Sequence, residues 1–576
     1  MESTFYSLNT LADILGTSVA TVQKWGKSGV YPLHKDEKGR NGFLSQDLMQ
    51  IDAIREMNNG KWYEEFQSKP NRIFTSVELF AGAGGLALGL DMAGFHHVLL
   101  NEFDEQACNT LRVNKPNWNV LEGDIHNVDF SPLRDKVDLL SGGFPCQAFS
   151  YAGKKGGLND TRGTLFFELA RAVNEIKPKV FLCENVKGLK SHDGGKTLEI
   201  IRNAIKELGY TLVEPRVLKA VMYQVPQKRE RIILVAIRND FADIVSFKWP
   251  SPYHRVMTLR DAFFKGELFP TDVPESDGQI YPEKKQRVMA MIPEGGDWRD
   301  LPVEEQKAYM GGSFYLGGGK TGMARRLSLD EPSLTLVCSP AQKQTERCHP
   351  IETRPLNIRE YARIQTFPDN WKFMGTMSDQ YKQIGNAVPV NLAFAIGRAI
   401  IRLLNDIDSI SSEKVIFEEA NKIAKSMLPS HPQQLDLFAL FEQYQDGVLS
   451  EPKKPYKSNC KNLLVSLVSD KLCNEFDESR GFIYYTGSKF PSTISLKKLQ
   501  LFVPYIKGKG IRDLYRITKI RVASMREVHA KAKKNDYRIL FELKFIRNIF
   551  EDYQPINLDI WRTFNYSSLE DILGNK

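Results

Sequence analysis

Short apolar segments alternate with amphipathic ones between residues 72 and 255, and this alternation restricts the fold more than any other feature of the chain. The apolar segments have strand length, and they are Thr75–Leu79, His97–Leu100, Val137–Leu140, Val180–Cys183 and Ile232–Ala236. The amphipathic segments have helical spacing, and they are Leu86–Ala93, Leu165–Ile176 and Thr197–Leu208. Strands that alternate with helices are typical of a parallel sheet covered on both faces. We therefore predict an α/β fold with a doubly wound sheet over residues 72–255.

A glycine-rich loop follows the first predicted strand directly, with the sequence Phe80-Ala-Gly82-Ala-Gly84-Gly85. Glycines there permit a tight turn and a close approach of the backbone to a ligand at a helix N-terminus. Glu102 ends the second strand, at a spacing where an acid can hydrogen-bond ribose hydroxyls. Taken alone, this pair of features fits NAD and S-adenosylmethionine equally well.

Four further motifs follow in a fixed order along the chain. They are Pro145-Cys146-Gln147, Glu184-Asn185-Val186, Gln227-Lys-Arg-Glu-Arg231 and Gly385-Asn-Ala-Val-Pro389. Together with the glycine loop, they resemble the DNA (cytosine-5) methyltransferase family over residues 72–405. The resemblance implies an S-adenosylmethionine-dependent, Rossmann-like sheet over residues 72–255, with an irregular target-recognition domain inserted at residues 256–383.

The resemblance also implies the catalytic residues. Cys146 would add to C6 of a cytosine, which turns C5 into a nucleophile for the methyl group. Glu184 would hold and protonate N3, which requires a raised pKa or a proton shared in a hydrogen bond. Arg231 and Arg229 would contact the cytosine O2, the glutamate or a nearby phosphate. Cys183 ends an apolar strand, and we assign it to the core.

Cofactor and DNA contacts follow from the same resemblance. The cofactor contacts would be Phe80, Gly82, Gly84, Gly85, Glu102, Asp124, Ile125, Pro145, Asn386 and Val388. The stretch from Gln147 to Arg162 resembles the family's mobile loop, which closes on DNA once the target base is flipped out. Within the resembling region, the contacts to double-stranded DNA would be Gln147, Ser150, Arg162, Gln227 and Thr335.

The inserted region is irregular and rich in glycine, proline and charge, as long functional segments often are. Base contacts should come from its loops, with Arg325 and Arg326 among the candidates. It is similar to the recognition regions of enzymes that read short palindromes opening with GG and closing with CC. Residues 384–405 are predicted to form one apolar helix that returns to the catalytic domain, and residues 406–455 a linker.

Residues 1–68 are predicted to be a small helical domain. The spacing Ala12-x3-Gly16-x5-Val22 matches a helix-turn-helix, and the whole resembles the winged MerR-like or excisionase-like unit. An ordinary helical hairpin remains the alternative. The residues that would face a major groove are Ser18, Thr21, Gln23 and Lys24. We expect that removing residues 1–68 leaves methylation largely intact and abolishes promoter binding.

The C-terminal region, residues 456–576, is predicted to be a basic α+β domain. Residues 451–576 contain 24 lysines and arginines against 14 aspartates and glutamates, whereas the net charge of the whole chain is +8. Such a surplus favours a polyanionic partner, with a solvated surface as the alternative. Asp536, Glu542 and Lys544 match a metal-nuclease pattern that is common by chance, so we expect additional DNA binding and no metal.

Composition sets the remaining expectations. The seven cysteines are scattered and lack CxxC spacing, which favours reduced thiols over zinc ligands. We see no apolar run of membrane-span length and no leader, so we expect a cytoplasmic protein without a membrane partner, and a monomer by default. Two other functions remain open: a cytosine methyltransferase acting on tRNA, and a DNA-binding regulator with an inactive transferase.

Overall fold

The computed structural model describes residues 4–37, 39–144, 165–316, 322–411 and 414–428, and the backbone of six strands between residues 463 and 567. The chain forms two compact units, Met1–Leu437 and Phe438–Lys576, which we treat separately. The domain boundaries predicted within the first unit, at residues 68, 255 and 383, stay predictions.

The first 68 residues contain four helices and a three-stranded antiparallel sheet of order β1-β3-β2. The elements are β1 (Phe5–Ser7), α1 (Leu8–Leu15), α2 (Val19–Lys27), β2 (His34–Lys35), β3 (Asn41–Leu44), α3 (Asp52–Asn58) and α4 (Trp62–Gln67). Ser7 caps α1 by accepting the N–H of Thr10, and Ser18 caps α2 in the same way. Gly16 ends α1 in the left-handed conformation, with φ of 70°. A turn between two helices is therefore present at Gly16, β2 and β3 pair antiparallel, and the winged DNA-binding unit stays a prediction.

This N-terminal region shares its apolar core with the region that follows. Leu11, Ile14 and Val22 belong to the same buried cluster as Val221 and Val256. Removing residues 1–68 would uncover those two valines, so the structure argues against a deletion that leaves the rest of the chain unperturbed.

The central sheet has the strand order β6-β5-β4-β7-β8-β12-β10, with β9 also paired to β12. Its strands are β4 (Phe74–Leu79), β5 (Phe95–Glu102), β6 (Val120–Glu122), β7 (Leu139–Gly143), β8 (Val180–Val186), β9 (Tyr210–Leu212), β10 (Arg216–Lys219) and β12 (Glu230–Arg238); the short β11 (Gln227–Lys228) lies outside it. The helices between them are α5 (Gly85–Ala93), α6 (Glu105–Asn114), α7 (Leu165–Ile176) and α8 (Lys196–Glu207), and α9 (Asn239–Ala242) follows β12. Side chains alternate between two cores, with Leu140 and Phe181 in one and Leu139 and Leu182 in the other.

The last long strand differs from the prediction. Ile232–Ala236 was predicted as part of a parallel sheet, but β12 runs antiparallel to both β8 and β10. After the crossover through α8, β10 keeps the direction of β8. The short connection from β10 to β12 then reverses the chain, and β12 inserts between them.

Most regular elements in the rest of the first unit are helices. Its elements are α10 (Leu259–Phe263), α11 (Glu283–Ala290), α12 (Val303–Met310), β13 (Ser333–Leu334), α13 (Ile358–Ile364), α14 (Met377–Asn386), α15 (Val390–Ile410) and α16 (Phe417–Met427). The single helix predicted over residues 384–405 is wrong, because it contains the boundary between α14 and α15. Pro389 lacks an N–H and forces the residue before it away from helical geometry, which ends α14 at Asn386.

These two helices also bear on the membrane prediction. By length and composition alone Met377–Ile410 could cross a membrane, so the prediction that no apolar run reaches that length is wrong. Of its most apolar window, however, 78% is buried inside the protein, as expected for a core helix.

The second unit is described only as a six-stranded sheet of order β15-β18-β17-β16-β14-β19. Its strands are β14 (Leu463–Val468), β15 (Phe482–Tyr485), β16 (Leu501–Ile506), β17 (Asp513–Ser524), β18 (Tyr537–Asn548) and β19 (Phe564–Ser567). The predicted strand Phe482–Tyr485 is confirmed, and Ile539–Leu543 lies within β18. The predicted basic helices are not among the described residues of this unit, and Asp536 lies outside them.

Candidate active site

The predicted motifs meet at one edge of the central sheet. The strand order reverses at β4, which pairs with β5 on one side and β7 on the other, and ligands of open α/β sheets bind at such a reversal. Phe80 follows β4, Glu102 ends β5 and Asp124 follows β6. Because β12 is antiparallel, its first residues reach the same edge, and Arg231 lies opposite Val186 of β8.

Glu184 and Arg231 form an ion pair at this edge. Nε of Arg231 lies 2.5 Å from Oε1 of Glu184, and the two side chains are 12% and 13% exposed. Gly143, at the end of β7, is their neighbour, since a Cβ there would lie 3.0 Å from Oε2 of Glu184. The pair therefore faces the end of β7, directly before the Pro145-Cys146-Gln147 motif in the chain.

Asn185 ties β8 to the end of β7. Its Nδ2 donates to the carbonyl oxygen of Phe144 over 2.8 Å, and its Oδ1 accepts the N–H of Val186 over 2.7 Å. Phe144 is the last described residue before the gap at residues 145–164. Five predicted site residues lie outside the described residues: Pro145, Cys146, Gln147, Ser150 and Arg162.

Glu102 and Asp124 lie at the ends of neighbouring strands and are both held by hydrogen bonds. The Glu102 carboxylate accepts the N–H of Gly82 over 2.7 Å and that of Phe103 over 2.8 Å. Asp124 accepts the N–H and the ring Nδ1–H of His126, which keeps the pKa of Asp124 below its usual range. The carbonyl of Glu102 accepts the N–H of Gly123, so the ends of β5 and β6 are tied together.

The glycine loop touches the segment between α14 and α15. Gly84 caps α5 with φ of 85°, a conformation that favours glycine. A Cβ on Gly85 would lie 2.3 Å from the carbonyl oxygen of Val388 and 3.0 Å from Cβ of Ala387. The neighbouring Asn386 accepts the Sγ–H of Cys338 over 3.3 Å. Ala387 and Val388 thus lie beside the glycine loop, and Asn386 directly precedes them.

A family model described as C-5 cytosine-specific DNA methylase matches residues 74–402. The chain belongs to this family. It is a DNA (cytosine-5) methyltransferase of the Type II restriction-modification class, and it uses S-adenosylmethionine as the methyl donor. Of the three functions considered from the sequence, the first is therefore the one that holds.

Three curated relatives support this assignment. Type II methyltransferase M.Eco47II of Escherichia coli is 60% identical over 404 residues, which cover 70% of this chain and 97% of the relative. M.PspPI of Psychrobacter sp. (strain TA137) is 58% identical over 414 residues, 72% of this chain and 98% of the relative. M.Sau96I of Staphylococcus aureus is 49% identical over 341 residues, 58% of this chain and 78% of the relative.

Two residues of the Gln-x-Arg-x-Arg motif are structural in this methyltransferase. Gln227 is fully buried and is hydrogen-bonded to Gln365 and to the N–H of Leu336, so the prediction that it contacts DNA is wrong. Arg229 is 2% exposed and donates to the carbonyls of Gly385 and Leu336. Burial lowers the pKa of Arg229 to about 9, and its side chain braces the Asn386 loop instead of reaching toward a base.

Thr335 and Arg326, which lie in the predicted recognition region and were both predicted to contact DNA, differ from each other in their surroundings. Thr335 donates its hydroxyl to the carbonyl of Lys228 over 2.6 Å, which places it beside the Gln227–Arg231 segment. Arg326 is buried and donates to the carbonyls of Met289 and Ile292, so its predicted contact with DNA is wrong.

Helix α2 presents an uncovered polar face. In this helix, all of which the structure describes, Val22 is the one buried side chain. Ser18 accepts the N–H of Thr21 and shares a hydrogen bond of 2.8 Å with its hydroxyl, so both residues also shape the helix N-terminus. The exposed residues include every one predicted to face DNA, namely Ser18, Thr21, Gln23 and Lys24.

The sequence interpretation missed two residues at the cofactor edge. Phe103 directly follows Glu102, and its aromatic ring is 75% exposed. Glu78 is buried within β4, where burial raises its pKa to about 8, and it accepts a hydrogen bond from Ser141 over 3.3 Å. Two features of the sequence could have revealed these residues: an aromatic residue next to the acid that ends a strand, and a single acid inside an apolar strand.

The close contact at Gly85 gives a direct test of the pocket. In Gly85→Ala the new methyl would press on the Val388 carbonyl, which is backbone and cannot rotate away. We expect about tenfold weaker binding of S-adenosylmethionine, in line with an overpacking cost of roughly 1–3 kcal/mol. Titration calorimetry measures it, with Gly266→Ala as the control because that Cβ would meet only the Phe264 carbonyl at 3.9 Å. Equal affinities for Gly85→Ala and wild type would contradict the assignment.

Proposed function

We propose that this methyltransferase modifies a cytosine flipped out of duplex DNA through a covalent adduct with Cys146. Glu184 holds and protonates N3 of the base, and Arg231 fixes Glu184 and stabilises charge that develops on the ring. The observation that carries the proposal is the Glu184–Arg231 ion pair, which lies beside Gly143, the last residue of β7 and two residues before the Pro145-Cys146-Gln147 motif. The reaction takes place in the cytoplasm, where the DNA that the system protects is found.

The Cys146 thiolate forms a bond to C6, and the electron pair of the C5–C6 double bond moves to C5. S-adenosylmethionine, when bound, supplies the methyl group: C5 attacks the methyl carbon, and the methyl–sulfur bond breaks so that S-adenosylhomocysteine leaves. Loss of the C5 proton to a base restores the double bond and expels the thiolate.

Arg231 has two uses in this sequence. Its guanidinium compensates the charge of Glu184 while the base is absent, and it offers further N–H donors to the cytosine O2 as negative charge develops. The side chains of both residues are mostly buried, so these interactions act with little competition from water.

Cys146→Ser tests the nucleophile. A serine hydroxyl is rarely ionised at neutral pH, so methyl transfer to DNA should fall below detection while DNA binding persists. Transfer of a labelled methyl group measures the first property, and electrophoretic mobility shift measures the second.

The matched control is Cys183→Ala. Cys183 is fully buried and burial raises the pKa of its thiol, so it cannot serve as an exposed thiolate and transfer should continue. Retained turnover in Cys146→Ser would contradict the assignment of Cys146 as the nucleophile.

We also propose that residues 1–68 bind DNA upstream of the methyltransferase gene through α2 and regulate its transcription. The support is the turn at Gly16, the capping of α2 by Ser18 and the exposed polar face that carries Lys24. In the second unit, β17 and β18 carry six basic residues against two acidic ones, which supports additional contacts to DNA.

Lys24→Ala tests the role of α2. Loss of one contact of this kind costs about 1–3 kcal/mol, so binding to the upstream DNA should weaken about tenfold or more. Binding to DNA that carries the methylation site should weaken much less, as fluorescence anisotropy on both duplexes would show. Lys61→Ala serves as the control, because Lys61 directly precedes α4 and its side chain is 70% exposed. Equal effects of the two substitutions would exclude α2 as the recognition helix.

A further inference from the structure

Three parts of the chain meet at Lys228, in the middle of the Gln227–Arg231 segment. Its Nζ lies 2.7 Å from Oδ2 of Asp13 on α1 and 3.4 Å from Oε2 of Glu331, two residues before β13. Its carbonyl oxygen accepts the hydroxyl of Thr335. One lysine therefore joins the N-terminal region, the catalytic segment and the recognition region.

Helix α1 makes further contacts on both sides of this junction. The carbonyl of Ile14 accepts a hydrogen bond of 2.5 Å from Nζ of Lys219 at the end of β10. Asn9 donates to the second carboxylate oxygen of Glu331, also over 2.5 Å. The helix is thus fixed to the strand that precedes the catalytic segment and to the loop that leads into β13.

The contacts of Lys228 support the pairing of β11 with β13, which has little stability of its own. β11 and β13 are parallel and only two residues long, with Gln227 opposite Ser333 and Lys228 opposite Leu334. Backbone hydrogen bonds alone fix the register of so short a strand pair only weakly. Charge-assisted contacts from partly buried side chains are stronger than neutral ones, and Lys228, Asp13 and Glu331 are 19%, 26% and 20% exposed.

The register of this pair positions the proposed reaction groups. Arg231 follows Lys228 by three residues and reaches Glu184, whereas Thr335 follows β13 directly. A shift of β11 relative to β13 would move the arginine and the threonine apart. Displacements of about 1 Å at an active site can slow a reaction about a hundredfold.

We propose that Asp13 is a positioning residue for methyl transfer, acting through Lys228 to fix β11 against β13 so that Arg231 and Thr335 keep their places beside the target cytosine. The inference rests on the roles proposed above for that site. It makes the N-terminal region part of the framework of the methylation site, in addition to any DNA that α2 binds.

The experiment uses the full chain and the isosteric substitution Asp13→Asn. The single-turnover rate of methyl transfer should fall about tenfold, because Lys228 loses one of its two carboxylate partners. The affinity for S-adenosylmethionine and the midpoint of thermal unfolding should stay at the wild-type values, because the N-terminal core is untouched. Asp13→Glu, which keeps the charge, should recover part of the rate.

Arg40→Gln is the matched control. Arg40 pairs with Asp330 at the same interface over 3.1 Å, but it does not contact β11, so the transfer rate should not change. The transfer rate is also measured for Lys228→Met and for the double variant Asp13→Asn/Lys228→Met. If Asp13 acts through Lys228, the double variant should be no slower than Lys228→Met.

Three results would overturn the inference: an unchanged rate in Asp13→Asn, independent multiplication of the two losses, or a rate loss matched by equal losses of cofactor affinity and thermal stability. A wild-type protein that binds S-adenosylmethionine but methylates no DNA would instead overturn the proposed function.

Discussion

The antiparallel direction of β12 is the constraint on which the candidate active site depends. Parallel strands deliver their last residues to the carboxyl edge of a sheet, whereas an antiparallel strand delivers its first residues there. Arg231, the second residue of β12, therefore lies opposite Val186 and reaches Glu184 at 2.5 Å. A parallel β12 would place this arginine at the opposite edge, away from the glycine loop and from the end of β7.

Close packing between α5 and α15 is the second constraint. A Cβ on Gly89 would lie 2.4 Å from Cβ of Ala393, as one on Gly85 would meet the Val388 carbonyl. The chain thus returns, after residues 256–383, to pack against the glycine loop and α5. Arg229 holds this returning segment in place by donating hydrogen bonds to the carbonyls of Gly385 and Asn386.

The order of strands and helices could be predicted because it depends on local periodicity, and α7 ends at Ile176, as predicted. The direction of β12 could not, because an apolar strand reads the same in either direction and the reversal depends on the connection from β10. The spacing Gln-x-Arg-x-Arg does not distinguish the surroundings of its three residues. It does not reveal that Leu336 and Gly385 cover the first two positions and leave Arg231 facing Glu184. Nor does the sequence show that Asp13 and Lys228 meet, since their contact is set by tertiary packing.

The measurement that tests the central claim most directly is base-resolution sequencing of methylcytosine in DNA from cells that express this protein, beside cells that lack it. The account predicts 5-methylcytosine at one position of one short sequence motif and none above background elsewhere. Folded protein that binds S-adenosylmethionine, together with no methylcytosine above background in the DNA, would contradict it.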